Sequence, residues 1–144
     1  ISESKLVNRE FQNKIGYLDI KETTLINCKF YNDLYDCSLT LNVFDSCRFE
    51  KNNTIADCYL NSVTFFNCNF YNEFTNSIIK KCIFNNCSFI ESKINRFGCK
   101  LNGCGFENCT FVSCIFNLPP VSSTFDNCSF DNCSGNLESN IKLV

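Results

Sequence analysis

Large apolar side chains recur about every five residues through most of this chain, and a small residue, usually Cys, stands two positions ahead of each. The unit Cys-x-Phe or Cys-x-Leu occurs at Cys28/Phe30, Cys37/Leu39, Cys47/Phe49, Cys58/Leu60, Cys68/Phe70, Cys82/Phe84, Cys87/Phe89, Cys99/Leu101, Cys104/Phe106, Cys109/Phe111, Cys114/Phe116 and Cys128/Phe130. A period of five walks round a helical cylinder without leaving a stripe, so a helix cannot bury these positions together. A short strand accounts for each triplet, because residues two apart point to the same side while the one between points away. A corner after every strand resets the phase and lengthens the spacing to five.

Taken in fours, the large residues separate into four columns. The first reads Leu25, Phe44, Phe65, Phe84, Phe106, Phe125, and the second Phe30, Phe49, Phe70, Phe89, Phe111, Phe130. Each second-column Phe follows Cys28, Cys47, Cys68, Cys87, Cys109 or Cys128. Leu34, Ile55, Phe74, Ile94 and Phe116 form the third column; Leu39, Leu60, Ile79 and Leu101, with Val121 as a weaker member, form the fourth. The pattern predicts an all-β, right-handed, four-sided parallel β-helix of about six turns over residues 23–135. Residues 1–22 break the pattern and are expected to cap the first turn or supply a first strand. Residues 95–100, with Gly98, predict a longer corner, Pro119 and Pro120 another corner, and 136–144 a tail. Asn32, Asn53 and Asn72 hold the slot that Cys holds elsewhere and are expected to form an inward ladder bonded to corner backbone.

These repeats resemble the pentapeptide-repeat family, with Cys or Ser where the common repeat carries Ala and Phe often replacing Leu. The resemblance covers about residues 23–135 and implies a right-handed quadrilateral β-helix. Some bacterial members mimic duplex DNA and protect DNA gyrase from quinolones, which implies DNA mimicry as one function. That activity calls for an acidic surface, whereas this chain has 13 Lys and Arg against 15 Asp and Glu, a net charge of −2, with both signs mixed along it.

Thirteen cysteines raise the question of metal or disulfides. Zinc needs ligands that converge tetrahedrally, and one Cys per side per turn gives columns; Cys104, Cys109 and Cys114, within one turn, come nearest to converging. Stacked Cys side chains run parallel, which holds their Cβ atoms farther apart than a disulfide prefers. The thiols are therefore read as free, buried small hydrophobes, with Cys133 near the tail as the exception, and no metal or cofactor is expected. Without a single His, and with carboxylates dispersed among cations, the chain offers no acid/base constellation, and it carries no Gly-rich phosphate loop or Ser-based motif; it is read as non-enzymatic. Lys80, Lys81, Lys93, Arg96 and Lys100 gather a modest basic patch, but stacking aromatics are not interleaved with it, so a solvated face is expected there and no nucleic-acid partner. No apolar run is long enough to insert into a membrane.

Five N-glycosylation sequons begin at Asn52, Asn86, Asn108, Asn127 and Asn132; the repeat itself places Asn ahead of the inward Cys, as Asn27 and Asn67 show without a sequon. With no initiator Met, the chain reads as a processed product or a domain of something longer. A solenoid must end, and its last turn offers backbone to a partner strand. Thr124, Phe125, Asp126, Asn127, Cys128, Ser129 and Phe130 are the candidate edge for such strand addition. The stretch from Lys5 to Phe11, Cys28-Lys29-Phe30 and the later Asn-Cys-Ser/Thr-Phe units resemble the lumenal loop of the synaptic vesicle glycoprotein 2 transporters. That resemblance implies a receptor role through strand addition and an attached glycan. The leading expectation is thus a protein-recognition module in a lumenal or extracellular setting, with a cytoplasmic one as the alternative that many reduced thiols favour. A rod that stacks end to end into filaments is the third expectation.

Overall fold

Strands here are two to four residues long because the chain turns a corner after each, most of the corners through a left-handed residue. Eighteen non-glycine residues among those described have φ between 45° and 56°. Eight are Asn (Asn8, Asn27, Asn67, Asn76, Asn86, Asn108, Asn127 and Asn132), the side chain that tolerates this conformation best after Gly. The structure, a computed structural model, describes residues 2–50, 54–71, 73–90, 93–96, 100–116, 123–135 and 142–143.

Each corner delivers the next strand to one of four parallel sheets. Side one is built from Lys5–Val7, Thr24–Ile26, Val43–Asp45, Thr64–Phe66, Ile83–Asn85, Gly105–Glu107, Thr124–Asp126 and Lys142–Leu143. Side two holds Glu10–Phe11, Lys29–Phe30, Arg48–Phe49, Asn69–Phe70, Ser88–Ile90, Thr110–Val112 and Ser129–Asp131. Side three holds Ile15–Gly16, Leu34–Tyr35, Thr54–Ala56, Glu73–Thr75, Lys93–Arg96, Ile115–Phe116 and Ser134–Gly135, and side four Asp19–Lys21, Ser38–Thr40, Tyr59–Asn61, Ile78–Lys80 and Lys100–Asn102. The shortest sheet has five strands, so five turns are complete on all four sides among the described residues, one fewer than the repeats predict. The chain is an all-β parallel solenoid.

The four columns meet inside. Side-two rings stack almost flat, with centroids 4.8 Å apart for Phe49 and Phe70, 4.8 Å for Phe70 and Phe89, and 4.9 Å for Phe111 and Phe130. Side-one rings repeat this, from 5.0 Å between Phe44 and Phe65 to 4.6 Å between Phe106 and Phe125. The two columns meet edge to face, as Phe65 does Phe70 at 5.3 Å, the arrangement the ring quadrupole favours.

Strands within residues 2–22 keep register with the next turn, Leu6 on Leu25, Phe11 on Phe30, Ile15 on Leu34 and Ile20 on Leu39, and so stack on it on all four sides. The inward Cys is replaced there by Ser4, Arg9, Asn13 and Leu18, which hides the turn from a search for Cys-x-Phe.

The expected Asn ladder of side three is only partly visible. Asn32 is half-buried and its Nδ2 donates to the Gln12 carbonyl, while Asn53 and Asn72 lie outside the described residues. The corner before Leu34 is one residue shorter than most, and no residue of positive φ stands in it. Among the described residues the fully buried Asn is Asn42, on the inward slot ahead of Phe44.

Because the corners need a left-handed residue, Asn67→Gly should leave stability within a few tenths of a kcal/mol, whereas Asn67→Val should lower it by about 1–2 kcal/mol. Urea unfolding of the two variants measures the difference.

Candidate functional site

Three places carry enough chemistry or exposed backbone to act: the thiol columns, the Asn corners and the two ends. In the longest thiol column Cys28, Cys47, Cys68, Cys87, Cys109 and Cys128 each point inward. Every Sγ lies between two carbonyls, one from its own turn and one from the turn before. Cys68 Sγ donates toward Phe44 O at 3.4 Å and Phe66 O at 3.2 Å; Cys109 Sγ is 3.3 Å from both Phe84 O and Glu107 O. Ser77 fills the same role on side four, its Oγ donating toward Ile55 O and Thr75 O at 3.2 and 2.9 Å, which shows what the slot selects: a small donor on a short stem.

Burial pushes the Cys28 thiol up, and the neighbouring Cys47 and Cys87 thiols together with burial push Cys68 up. Cys82 is raised by the Cys104 thiol and by burial. A protonated, buried thiol is a poor nucleophile, which suits these three to packing. Twelve cysteines form no disulfide among the described residues, and Cys99 lies outside them. Cys104, Cys109 and Cys114 sit on three different sides, and no group of three or more His, Cys, Asp and Glu side chains gathers as a metal site among the described residues.

The sequon residues Asn86, Asn108 and Asn127 stand on one corner column between sides one and two, and Asn132 on the next. All four are exposed. Their amides are stacked in pairs: Asn86 Nδ2 donates to Asn67 Oδ1 at 2.7 Å, Asn127 Nδ2 to Asn108 Oδ1 at 2.7 Å, and Asn132 Nδ2 to Ser113 Oγ at 3.3 Å. Asn52 lies outside the described residues.

At the C-terminal end the candidate edge divides. Thr124–Asp126 is already covered by the chain's own Lys142–Leu143, paired parallel with Thr124 on Lys142 and Phe125 on Leu143. Ser129–Asp131 and Ser134–Gly135 are the last strands of their sheets among the described residues. A two-residue strand at the end of the chain carries no repeat signature, so sequence gave no sign of this cover. At the other end Leu6, Phe11, Ile15 and Leu18 ring an apolar cavity of about 30 Å³, room for about one water and none of the polar partners a water needs. It holds no ligand-sized space.

Charge on the outer faces is mixed. Lys29 Nζ lies 3.4 Å from Glu10 Oε1, Arg48 Nε 2.7 Å from Glu50 Oε1 with its guanidinium 5.1 Å from the Tyr71 ring, and Lys14 Nζ 3.0 Å from Asp33 Oδ2. Of the basic patch, Lys80 and Lys81 stand beside Lys100–Asn102 of the next turn, and Lys93–Arg96 runs on side three. No helix among the described residues is long and apolar enough to cross a membrane.

The Asp33 carboxylate has a displaced titration. Burial alone would raise it, but the Thr54 N–H at 2.8 Å and the Lys14 ammonium outweigh burial and hold it below the usual aspartate value. A lowered folded pKa means its contribution is complete above about pH 4 and is lost as pH falls through the lower folded value. Asp33→Asn should therefore flatten the acid limb of a stability–pH curve below about pH 4 and leave its slope near pH 7 unchanged, as urea midpoints across the acid range would show.

No family model matches this sequence, and no curated protein matches it. Among solved structures it is similar to a trypsin-treated variant of QnrB1, a plasmid-mediated fluoroquinolone resistance protein, at 16% identity over 99% of this chain and 90% of that one, with a TM-score of 0.45. Full-length QnrB1 aligns at 16% identity over 100% and 93%, with a TM-score of 0.37. HetL, a pentapeptide repeat protein involved in heterocyst differentiation regulation from the cyanobacterium Nostoc sp. strain PCC 7120, aligns at 8% identity over 92% and 84%, with a TM-score of 0.25. At these values the fold rests on this chain's own strand pairing.

Proposed function

We propose that this chain is a non-catalytic protein-recognition module that takes an extended segment of a partner onto its C-terminal edge. The observation that carries the reading is Lys142–Leu143: on side one the last turn already holds an added parallel strand, while Ser129–Asp131 and Ser134–Gly135 beside it end their sheets among the described residues. Main-chain bonds supply affinity in such additions, and outward side chains select the partner. Selection of random twelve-residue peptides displayed on phage tests it. Binders should slow amide exchange at Ser129–Gly135 and lose affinity about tenfold with Ser134→Pro; protection confined to another side of the solenoid, or no enriched peptide, would sink the reading.

We further propose a lumenal or extracellular setting, supported by the four exposed sequon residues Asn86, Asn108, Asn127 and Asn132. Intact mass before and after glycosidase treatment checks it, an unchanged mass favouring the cytoplasm. DNA mimicry gains little from the outer faces: Glu10, Lys29 and Arg48 follow one another up side two, so acidic positions do not run on as a stripe there.

A further inference from the structure

The thiol columns carry more than packing at the C-terminal end, where they reach solvent. Cys128 and Cys133, on adjacent sides, are half-buried, and each lies one turn beyond a buried partner, Cys109 and Cys114. Register fixes both pairs: Thr110 is paired with Ser129 and Ile115 with Ser134, one residue after the cysteines. The partners are held alike. Cys128 Sγ is 3.4 and 3.3 Å from Phe106 O and Asp126 O, and Cys109 Sγ 3.3 Å from both Phe84 O and Glu107 O. Cys133 Sγ is 3.4 Å from both Phe111 O and Asp131 O, and Cys114 Sγ 3.2 and 3.5 Å from Phe89 O and Val112 O.

Side chains held alike in successive turns are related by the turn-to-turn translation, 4.9 Å between the Phe111 and Phe130 rings. A disulfide would need the sulfurs at about 2.05 Å. A linear two-thiolate centre has a different requirement: two metal–sulfur bonds of about 2.3 Å set end to end span about 4.6 Å. The Cβ–Sγ bonds point inward, across the solenoid axis, and the metal–sulfur bonds would run along it, close to the right angle that sulfur prefers. Charge selects the ion. A divalent cation replacing two thiol protons leaves a neutral centre, whereas a monovalent one leaves a buried negative charge that the apolar core penalises.

We propose that Cys109/Cys128 and Cys114/Cys133 are two neighbouring two-coordinate sites for a soft divalent cation that prefers linear thiolate ligation, the mercuric ion being the type. Each site forms two metal–sulfur bonds, breaks two S–H bonds and releases two protons to solvent, with no change of oxidation state.

Mercuric chloride titrated into the full chain under native mass spectrometry tests this, with X-ray absorption at the mercury edge and far-ultraviolet circular dichroism on the same samples. Two ions per chain are expected at low excess, each with two sulfur neighbours at about 2.3 Å, and an unchanged dichroism spectrum. Cys128→Ser and Cys133→Ser should each remove one ion, and the double variant both. Serine at these slots keeps the fold, since Ser77 already makes the same two bonds. Only one ion per chain in total, abolished by either single variant, would mean a bridge between Cys128 and Cys133, and binding with three or four sulfurs, or only with loss of the strand spectrum, would equally overturn the proposal.

Discussion

Phe70→Ala is expected to lower the free energy of unfolding by about 3–5 kcal/mol, the largest effect of any single truncation in this chain. The ring is 0% exposed. It stacks between Phe49 and Phe89 at 4.8 Å on each side and meets Phe65, Phe74 and Phe84 across the core. Removing it leaves a void that neighbours cannot fill, because their own stacking partners hold them at the turn spacing. A solenoid turn touches only its neighbours, so the defect also weakens the coupling between the turns on either side. Urea unfolding should show a lower midpoint and a broader transition for Phe70→Ala, and a smaller loss for Phe130→Ala, whose ring is half-buried at the end. Equal losses at the two positions would mean that the Phe column does not act as a continuous stack.

The repeat made most of the fold legible. Phe30, Phe49, Phe70, Phe89, Phe111 and Phe130 fall in register up side two as their spacing requires, because a column of identical large residues has one way to stack. Legibility fails where a residue departs from the repeat while the backbone keeps to it. Arg9 and Asn13 stand where Cys would announce the first turn, and the strands form regardless, since Leu6, Phe11, Ile15 and Ile20 still supply the large side chains. Corner geometry was legible as a preference for Asn ahead of Cys, yet the reason, a left-handed φ, also admits Leu41 and Tyr17, which no turn preference would choose. Tyr17 is 81% exposed and rests edge-on against Tyr35 at 5.5 Å; the Tyr35 ring lies across Gly16, where a Cβ would strike it.

The candidate site was less legible than the fold, for a physical reason. Recognition by strand addition depends on which backbone edges remain open, and a backbone edge has no side-chain signature. Thr124–Asp126 and Ser129–Asp131 read alike as repeats, and only the first is covered. The thiol pairs have the opposite character: every Cys was visible, but whether two of them can share an ion depends on the turn translation and on which pairs reach solvent.

Asn42→Leu is expected to cost about 2–4 kcal/mol, the second largest effect, although it replaces a polar core residue by an apolar one of similar size. Asn42 is 1% exposed and carries two bonds that the backbone cannot make otherwise. Its Oδ1 accepts from the Thr23 N–H at 3.0 Å, and its Nδ2 donates to the Ile20 carbonyl at 2.8 Å, bridging the corner between sides four and one. Leucine leaves the Thr23 N–H buried and unpaired, at about 1–3 kcal/mol, and takes the second bond from the Ile20 carbonyl, which keeps its place in the ladder with the next turn, before any gain from the added apolar contact. Val63 occupies the same slot one turn later at 0% exposure, so shape alone does not exclude an aliphatic side chain there. Asn42→Leu and Val63→Leu compared by urea unfolding separate the two causes: a loss at Asn42 well above that at Val63 assigns it to the orphaned Thr23 N–H and the lost bond to the Ile20 carbonyl, and equal losses assign it to volume.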